Sequence, residues 1–317
     1  MIDRATSQLT HSRFDKIGDF LRPGDLLVFN SSRTLPASLT GCGAAHGPCI
    51  ELRLAEHLPD DSWLALLLCQ QGDPFACGLT PGLEIELPEG LRATVLARDE
   101  NIPRLWRLRF SETGAQFIDL LYRHGSPIRY EYVSAPWDLD YYQTVYAREP
   151  GSSEMPSAGR AFSWQLLFEL RRGGVEVAYL VLHTGLSSYM DDELDRQHPA
   201  SEEEYFVSEQ TAEKINAAQR RGGRVIAVGT TVVRALESVI SPEGVVRPGH
   251  GYTRLRITAA HRLRAVQGLI TGLHEPEASH LDLLSAFLPV SRIETAYKEA
   301  IARGYLWHEF GDLNLIL

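Results

Sequence analysis

The sequence predicts a mixed α/β fold, in which an α/β body is interrupted by a small antiparallel β module. Three observations predict it. A turn and a buried strand, "LRPGDLLVFN" at 21–30, open the chain's ordered pattern. From 50 to 110 the texture changes to five short strand-like segments, "IELRLAE", "SWLALLL", "LEIEL", "LRATVLA" and "LWRLRF", parted by Pro, Gly and acidic turns. Closely spaced strands with turn signals make a small antiparallel sheet or barrel. After 140, helical and strand patterns alternate, as in an α/β body.

The elements follow in order. "GAQFIDLLYRHG" (114–125) reads as a helix leaving the β module, with Phe117, Leu120 and Leu121 on one face. "SWQLLFELRRGG" (163–174) is an amphipathic helix stopped by glycines, and "VEVAYLVLHTG" (175–185) is an apolar strand of the kind covered on both faces. "SEQTAEKINAAQRRGG" (208–223) is another glycine-stopped helix. "RVIAVGTTVVRALESVI" (224–240) is a strand, a Gly-Thr-Thr corner and a helix. This order implies parallel pairing with right-handed crossovers. Ligands in such sheets bind beyond the carboxyl ends of the strands. His183-Thr184-Gly185 and Gly229-Thr230-Thr231 are therefore expected on one rim.

The chain has 317 residues, 44% hydrophobic and 23% charged, enough for two packed units. No run of eighteen apolar residues suggests a membrane span, and "MIDRATSQLTHSRF" lacks the apolar stretch of a signal peptide, so a cytoplasmic monomer is expected. Cys42, Cys49, Cys69 and Cys77 form no Cys-x-x-Cys pair, which favours reduced structural thiols over a zinc ribbon or redox dithiol. A net charge of −10 disfavours nucleic acid over the surface as a whole, so a polyanion partner needs a local basic patch. Lysine occurs only at 16, 214 and 298; the other cations are arginines, whose forks suit phosphate and carboxylate.

Two motifs fail on context. Gly41, Gly43 and Gly47 approach a dinucleotide fingerprint, but Pro48 and a strand-like "CIELRL" follow where a helix must open. "HEPEASH" (274–280) spaces its histidines six apart around Pro276, so they cannot share a helical face as zinc ligands, and no metal is expected.

Four features remain. The Gly229-Thr230-Thr231 corner can hold a carboxylate or a ribose on free helix N–H groups, or a threonine there simply caps the helix. Arg234 and Glu237 lie one turn apart, off the stripe of Val232, Val233, Leu236, Val239 and Ile240, in the position of a surface ion pair. His183 ends a buried strand and is either structural or catalytic. "YYQTVYA" (141–147) runs into "EMPSAGRAF" (154–162), a polar, aromatic and small-residue loop able to close over a purine or a sulfonium, or a plain linker. In "TRLRITAAHRLRAV" (253–266), Arg254 and Arg256 alternate on one expected strand and Arg262 and Arg264 on the next. Two such faces make a phosphate patch, or a charged edge that resists aggregation.

These stretches resemble the S-adenosylmethionine:tRNA ribosyltransferase-isomerase family. The carriers are "LRPGDLLVFNSSRTLPASL", "YYQTVYA", "PSAGRAF", "LHTG", "RVIAVGTTVVRALES", "GLITGLHEPEASHLDLLSAF" and "FGDLNLI". The resemblance implies a discontinuous α/β main domain, here 1–49 and 129–317, holding an inserted β-barrel domain at 50–128. It implies a metal-free transfer of the ribosyl unit of S-adenosylmethionine, the co-substrate, to 7-aminomethyl-7-deazaguanine in tRNA. Methionine and adenine leave, and the sugar rearranges to an epoxycyclopentane. Placed at matching positions, His183 and His274 are candidate proton-transfer groups. Thr230 and Thr231 of the Gly229 corner, with Arg234, are candidates for the carboxylate cradle, and Gly185 is a further candidate for binding S-adenosylmethionine. Tyr142, Gln143, Tyr146, Ser157 and Gly159 are candidates for the purine or sulfonium site.

Departures accompany the resemblance. Asn30-Ser31-Ser32-Arg33 stands where the family has Asn-Asp-Thr-Arg. Pro156-Ser157-Ala158-Gly159-Arg160-Ala161-Phe162 stands where it has Pro-Thr-Ala-Gly-Leu-His-Phe. Ser201 replaces a histidine after His198, and Thr271-Gly272-Leu273-His274-Glu275-Pro276-Glu277-Ala278-Ser279 replaces Thr-Asn-Phe-His-Leu-Pro-Lys-Ser-Thr. The resemblance thus implies a diverged, N-terminally shortened member. The alternatives are a paralogue that serves another acceptor, or water, and a non-catalytic ligand binder.

Overall fold

The computed structural model describes the chain except residues 44–46, 48, 71–74, 76, 131, 132, 134, 198–200, 275–278, 308 and 309. His198, and the acidic part of the 274–280 stretch, lie outside the described residues.

β1 (Leu26–Asn30) and β2 (Ser32–Thr34) lead into β3 (Ser38–Gly43), β4 (Cys49–His57), β5 (Trp63–Cys69), β6 (Glu84–Glu86), β7 (Arg92–Arg98) and β8 (Leu105–Phe110). The last six close into a barrel of order β3-β4-β5-β8-β7-β6, all antiparallel. The five segments read from alternation are staves β4 to β8. The sixth, β3, lies before residue 50, where no strand was expected. Its sequence reads as a glycine motif, but Gly41 is there because β6 passes close: a Cβ would sit 2.6 Å from the Glu86 carbonyl oxygen. Cys42 pairs opposite Cys49 across β3 and β4, and these two form a disulfide, as do Cys69 and Cys77. The expectation of reduced thiols therefore fails; for Cys42 and Cys49 it is ladder register, invisible as a spacing signal, that brings the sulfurs together.

α1 (Gly114–His124) leaves the barrel and buries Phe117, Leu120 and Leu121 against it, as its period predicts. The body continues with β9 (Glu149–Ser152), α2 (Trp164–Arg172), β10 (Glu176–Leu182), α3 (Asp192–Gln197), β11 (Glu203–Val207), α4 (Glu209–Arg220), β12 (Val225–Val228), α5 (Thr230–Val239), β13 (Gly249–Thr253), β14 (Gly268–Gly272), α6 (Ser279–Leu284), α7 (Val290–Ala302) and β15 (Leu313–Ile316). Ser163 and Ser208 cap α2 and α4 by accepting from the Leu166 and Thr211 amides.

The body is one seven-stranded sheet, β13-β11-β10-β1-β12-β14-β15. β10, β1, β12 and β14 run parallel, and β11, β13 and β15 are antiparallel additions. β1 separates β10 from β12. Its alternation divides the core: Leu26 and Val28 pack with α4, α5 and α7, while Leu27 and Phe29 pack with α2 and Phe162. At the amino edge, Asp25 accepts from the Arg224 backbone N–H (3.3 Å) and Nε (3.0 Å), joining the starts of β1 and β12.

Candidate active site

The carboxyl ends of β10, β1, β12 and β14 form one rim, and the predicted rim residues meet there. The apolar run of β1 ends at Asn30, which is 1% exposed. Its Nδ2 donates to the Leu182 carbonyl (2.8 Å) and to Thr231 Oγ1 (3.3 Å), while its Oδ1 accepts from the Leu182 and Ser32 amides. A buried amide is tolerable because its groups are paired. Asn30 therefore locks the end of β10 to the first turn of α5, a role not expected from its sequence position.

Gly229 turns the corner at φ +97°, which favours glycine, and its amide donates to the Ile270 carbonyl of β14. No side chain caps α5 here, and Thr231 spends its hydroxyl on Asn30, so the capping alternative for the threonines does not hold. The first amides of α5 are left to face the rim, as an anion site requires.

His183 follows β10. Its Nδ1 lies 2.7 Å from Ser32 Oγ, which lies 2.5 Å from Ser152 Oγ, and Ser152 Oγ accepts from the Thr184 amide. A Cβ on Gly151 would meet the imidazole at 2.4 Å, so β9 and the ring are in close contact. Burial lowers the His183 pKa, outweighing nearby Glu204, and so favours the neutral ring. His183 also lines a cavity of about 470 Å³.

The loop after β9 closes the other side. The turn Ser157–Gly159 brings Ala158 Cβ to 3.6 Å from the position of a Cβ on Gly229. Gly159 admits the hydroxyl of Tyr146, which would lie 1.8 Å from an added Cβ. Tyr146 is buried against Phe29 and Tyr179. Gln143 is committed to backbone: its Oε1 accepts from the Thr34 amide and its Nε2 donates to the Thr34 carbonyl, extending β2 as a strand would. Tyr142 meets Phe310 edge-on at 5.4 Å, and Arg160 stacks on the same ring at 4.7 Å. Phe310 belongs to a stretch that carries the resemblance, but nothing local marks it as part of this wall.

His274 follows β14; its Nε2 lies 3.0 Å from Thr271 Oγ1, and its ring stacks on His280 at 4.1 Å. The two histidines of "HEPEASH" are thus brought together by the fold, without sharing one helix. β10 and β14 are three strand spacings apart, about 14 Å. His183 and His274 thus follow the two outer parallel strands of the rim, on opposite flanks of it.

Three expectations are corrected. Arg234 does not pair with Glu237. It binds Glu203 of β11 and the Leu255 carbonyl, whereas Glu237 is buried and accepts from His261 and the Arg264 and Ala265 amides. Arg234 as a cradle for a ligand carboxylate must therefore compete with Glu203. The arginines at 254–264 do not alternate on two strands, since β13 ends at Thr253 and irregular chain follows. Arg254 pairs with Glu202 and Arg256 with Asp282, which neutralises half of the expected basic patch.

An acidic group missed in the sequence lies where barrel meets body. Glu56 of β4 is buried near Glu203 and accepts from the Glu202 amide at 3.3 Å. Glu203 accepts from the Gly185 amide at 3.3 Å. Burial first, and repulsion by Glu203 second, push the Glu56 pKa up to about 8. The signal was present as "EEEYF" beside "LRLAEH", but only the fold makes these segments neighbours.

The whole chain matches known proteins. A family model described as "Queuosine biosynthesis protein" matches residues 1–316. The S-adenosylmethionine:tRNA ribosyltransferase-isomerase of Symbiobacterium thermophilum is 38% identical, covering 100% of this chain and 92% of the relative. That of Thermus thermophilus is 39% identical, covering 98% and 89%. The crystal structure of the S-adenosylmethionine tRNA ribosyltransferase of Thermotoga maritima aligns with TM-score 0.53 at 29% identity, covering 100% of this chain and 90% of that one. A barrel set into a parallel-centred sheet, with its rim closed by the loop after β9, is thus accompanied by full-length similarity: the chain belongs to the queuosine biosynthesis protein family.

Proposed function

We propose that this protein is an S-adenosylmethionine-dependent ribosyltransferase-isomerase acting on 7-aminomethyl-7-deazaguanine in tRNA, with release of adenine and methionine. The carrying observation is the rim itself, where an uncapped helix start, a half-buried histidine whose pKa is lowered and an aromatic loop converge on one edge in a chain similar to such enzymes over its full length. The first amides of α5 receive the methionine carboxylate of S-adenosylmethionine. Tyr142 and Phe310 face its purine or sulfonium. His183 removes the proton from the carbon beside the sulfonium, whose positive charge acidifies it. In the tautomer with its proton on Nδ1, His183 donates to Ser32 and Ser32 to Ser152, leaving Nε2 as the acceptor. His274, on the far side of the rim, is placed for the proton the departing adenine needs. No metal enters this scheme.

The test is incubation with S-adenosylmethionine, with and without tRNA carrying 7-aminomethyl-7-deazaguanine, read by mass spectrometry. Release of adenine and methionine only with that tRNA, with epoxyqueuosine in its digest, is the expected result. Adenine released without tRNA would move the reading to another acceptor or to hydrolysis, which the changed residues at Ser31, Ala161 and Ser201 would suit. His183→Ala should lower kcat by about 10²–10⁴-fold. Because burial lowers its pKa, the acid limb of the rate profile should lie below the ordinary histidine value of 6.5. An acid limb above that value, or an unchanged kcat, removes His183 as the base.

A further inference from the structure

We propose that the groove beside β10 is a subsite for a single-stranded RNA nucleotide flanking the reacting base, with its phosphate on Arg148 and Lys214 and its base on Phe206. This rests on the function proposed above. The groove exists because β11 pairs with β10 only at Val181 and Leu182, leaving the earlier outer edge of β10 open. Side chains of α4 complete that edge: Thr211 Oγ1 donates to the Tyr179 carbonyl (2.6 Å) and Lys214 Nζ to the Val177 carbonyl (3.2 Å). The resulting cavity, about 470 Å³, is of the size that holds a small ligand, and His183 lines it.

Its charge is unusual for a chain of net −10. Around it, Arg221 pairs with Glu176, Arg254 with Glu202 and His250 with Glu204. Lys214 has only a neutral carbonyl partner, and Arg148 is exposed and makes no ion pair among the described residues. Glu149 is the one carboxylate of the lining, against these two cations and His183. Phe206, 48% exposed on β11, stands on the same wall with His250 edge-on at 6.3 Å. Two unneutralised cations beside an exposed ring match a phosphate and an unstacked base, which is how proteins hold single-stranded RNA. The opening toward His183 then delivers the neighbouring nucleotide to the proton acceptor.

The experiment is equilibrium binding of a full-length tRNA transcript across a salt series, for wild type, Arg148→Gln/Lys214→Gln, Phe206→Leu, and Arg262→Gln/Arg264→Gln. Affinity for S-adenosylmethionine, measured by calorimetry, should be unchanged in each. The groove pair should weaken tRNA binding and flatten the slope of log K against log salt by about 0.7 per lost cation. Phe206→Leu should weaken it by about tenfold with the slope unchanged. Arg148→Gln alone, which removes an exposed side chain without an ion pair, serves if the double variant is unstable. Wild-type affinity and slope in the groove variants, with loss instead in the 262/264 pair, would overturn the proposal while leaving the function intact. Absence of tRNA binding by the wild type would overturn both.

Discussion

At the scale of single residues, the site depends on close approaches that allow no extra atom. Gly151 is the clearest case, because its missing side chain is filled by the His183 ring. Gly151→Ala should displace the imidazole from Ser32 and lower kcat about tenfold or more, since misplacement near one ångström is costly. The melting temperature should fall little, as Gly151 is partly exposed at a strand edge. Equal losses of stability and activity would instead show that the glycine serves folding. Asn30 shows the complementary case, a side chain whose donor and acceptor groups are spent on holding the ends of β1 and β10 to each other and to the first turn of α5. Gln143, a candidate ligand contact, proves to be a backbone clamp for the same physical reason: a half-buried amide is held where it finds both a donor and an acceptor.

Among elements, β1 holds the body together, since it lies between β10 and β12 and its flanks build both cores. Its start is fixed by Asp25, buried beside Arg224. Burial alone would raise the Asp25 pKa, but hydrogen bonds and charge from Arg224 prevail and lower it. A carboxylate with a lowered folded-state pKa adds stability above its unfolded value of 3.8, and loses it as pH falls. Asp25→Asn should therefore cost about 3 kcal/mol at neutral pH in denaturant unfolding. Wild type and variant should converge as the pH drops below that unfolded value. A constant difference down to strong acid would mean that the pair is not what Asn disrupts. The arginines at 254–264 teach the reverse lesson. Alternation predicts strands, yet the segment pairs with side chains at Glu202, Asp282 and Glu237 instead of with a ladder.

For the whole molecule, the junction of barrel and body should respond to pH. Glu56 lies there near Glu203, with its pKa pushed up to about 8 from an unfolded value of 4.5. A raised carboxyl pKa contributes stability at low pH that is lost as the pH climbs through the folded value. Glu56→Gln stays neutral and can still accept from the Glu202 amide. It should raise the melting temperature by several degrees at pH 9 and hardly at pH 5. Parallel pH curves for wild type and variant would show that Glu56 ionises freely at the junction. Neither segment alone predicts this, because Glu56 and Glu203 are separated by more than a hundred positions.

The sequence by itself determined the five barrel staves β4 to β8, the strands β1, β10 and β12, the helices α1, α2, α4 and α5, the glycine stops of α2 and α4, and the shared rim of β10 and β12. Those features are local: periodicity, turn residues and a parallel crossover leave a trace within a few turns of chain. It also placed His183 and the Gly-Thr-Thr corner at strand ends, where parallel sheets gather ligands. Only the tertiary structure decided that β1 lies between those strands, that β3 is a stave, and that Cys42 faces Cys49. It also decided that Arg234 is claimed by Glu203, that His274 meets His280, and that Phe310 returns to the site. These are contacts of register and long sequence separation, fixed by the packing free energy of the whole fold, and no stretch of a dozen residues encodes them.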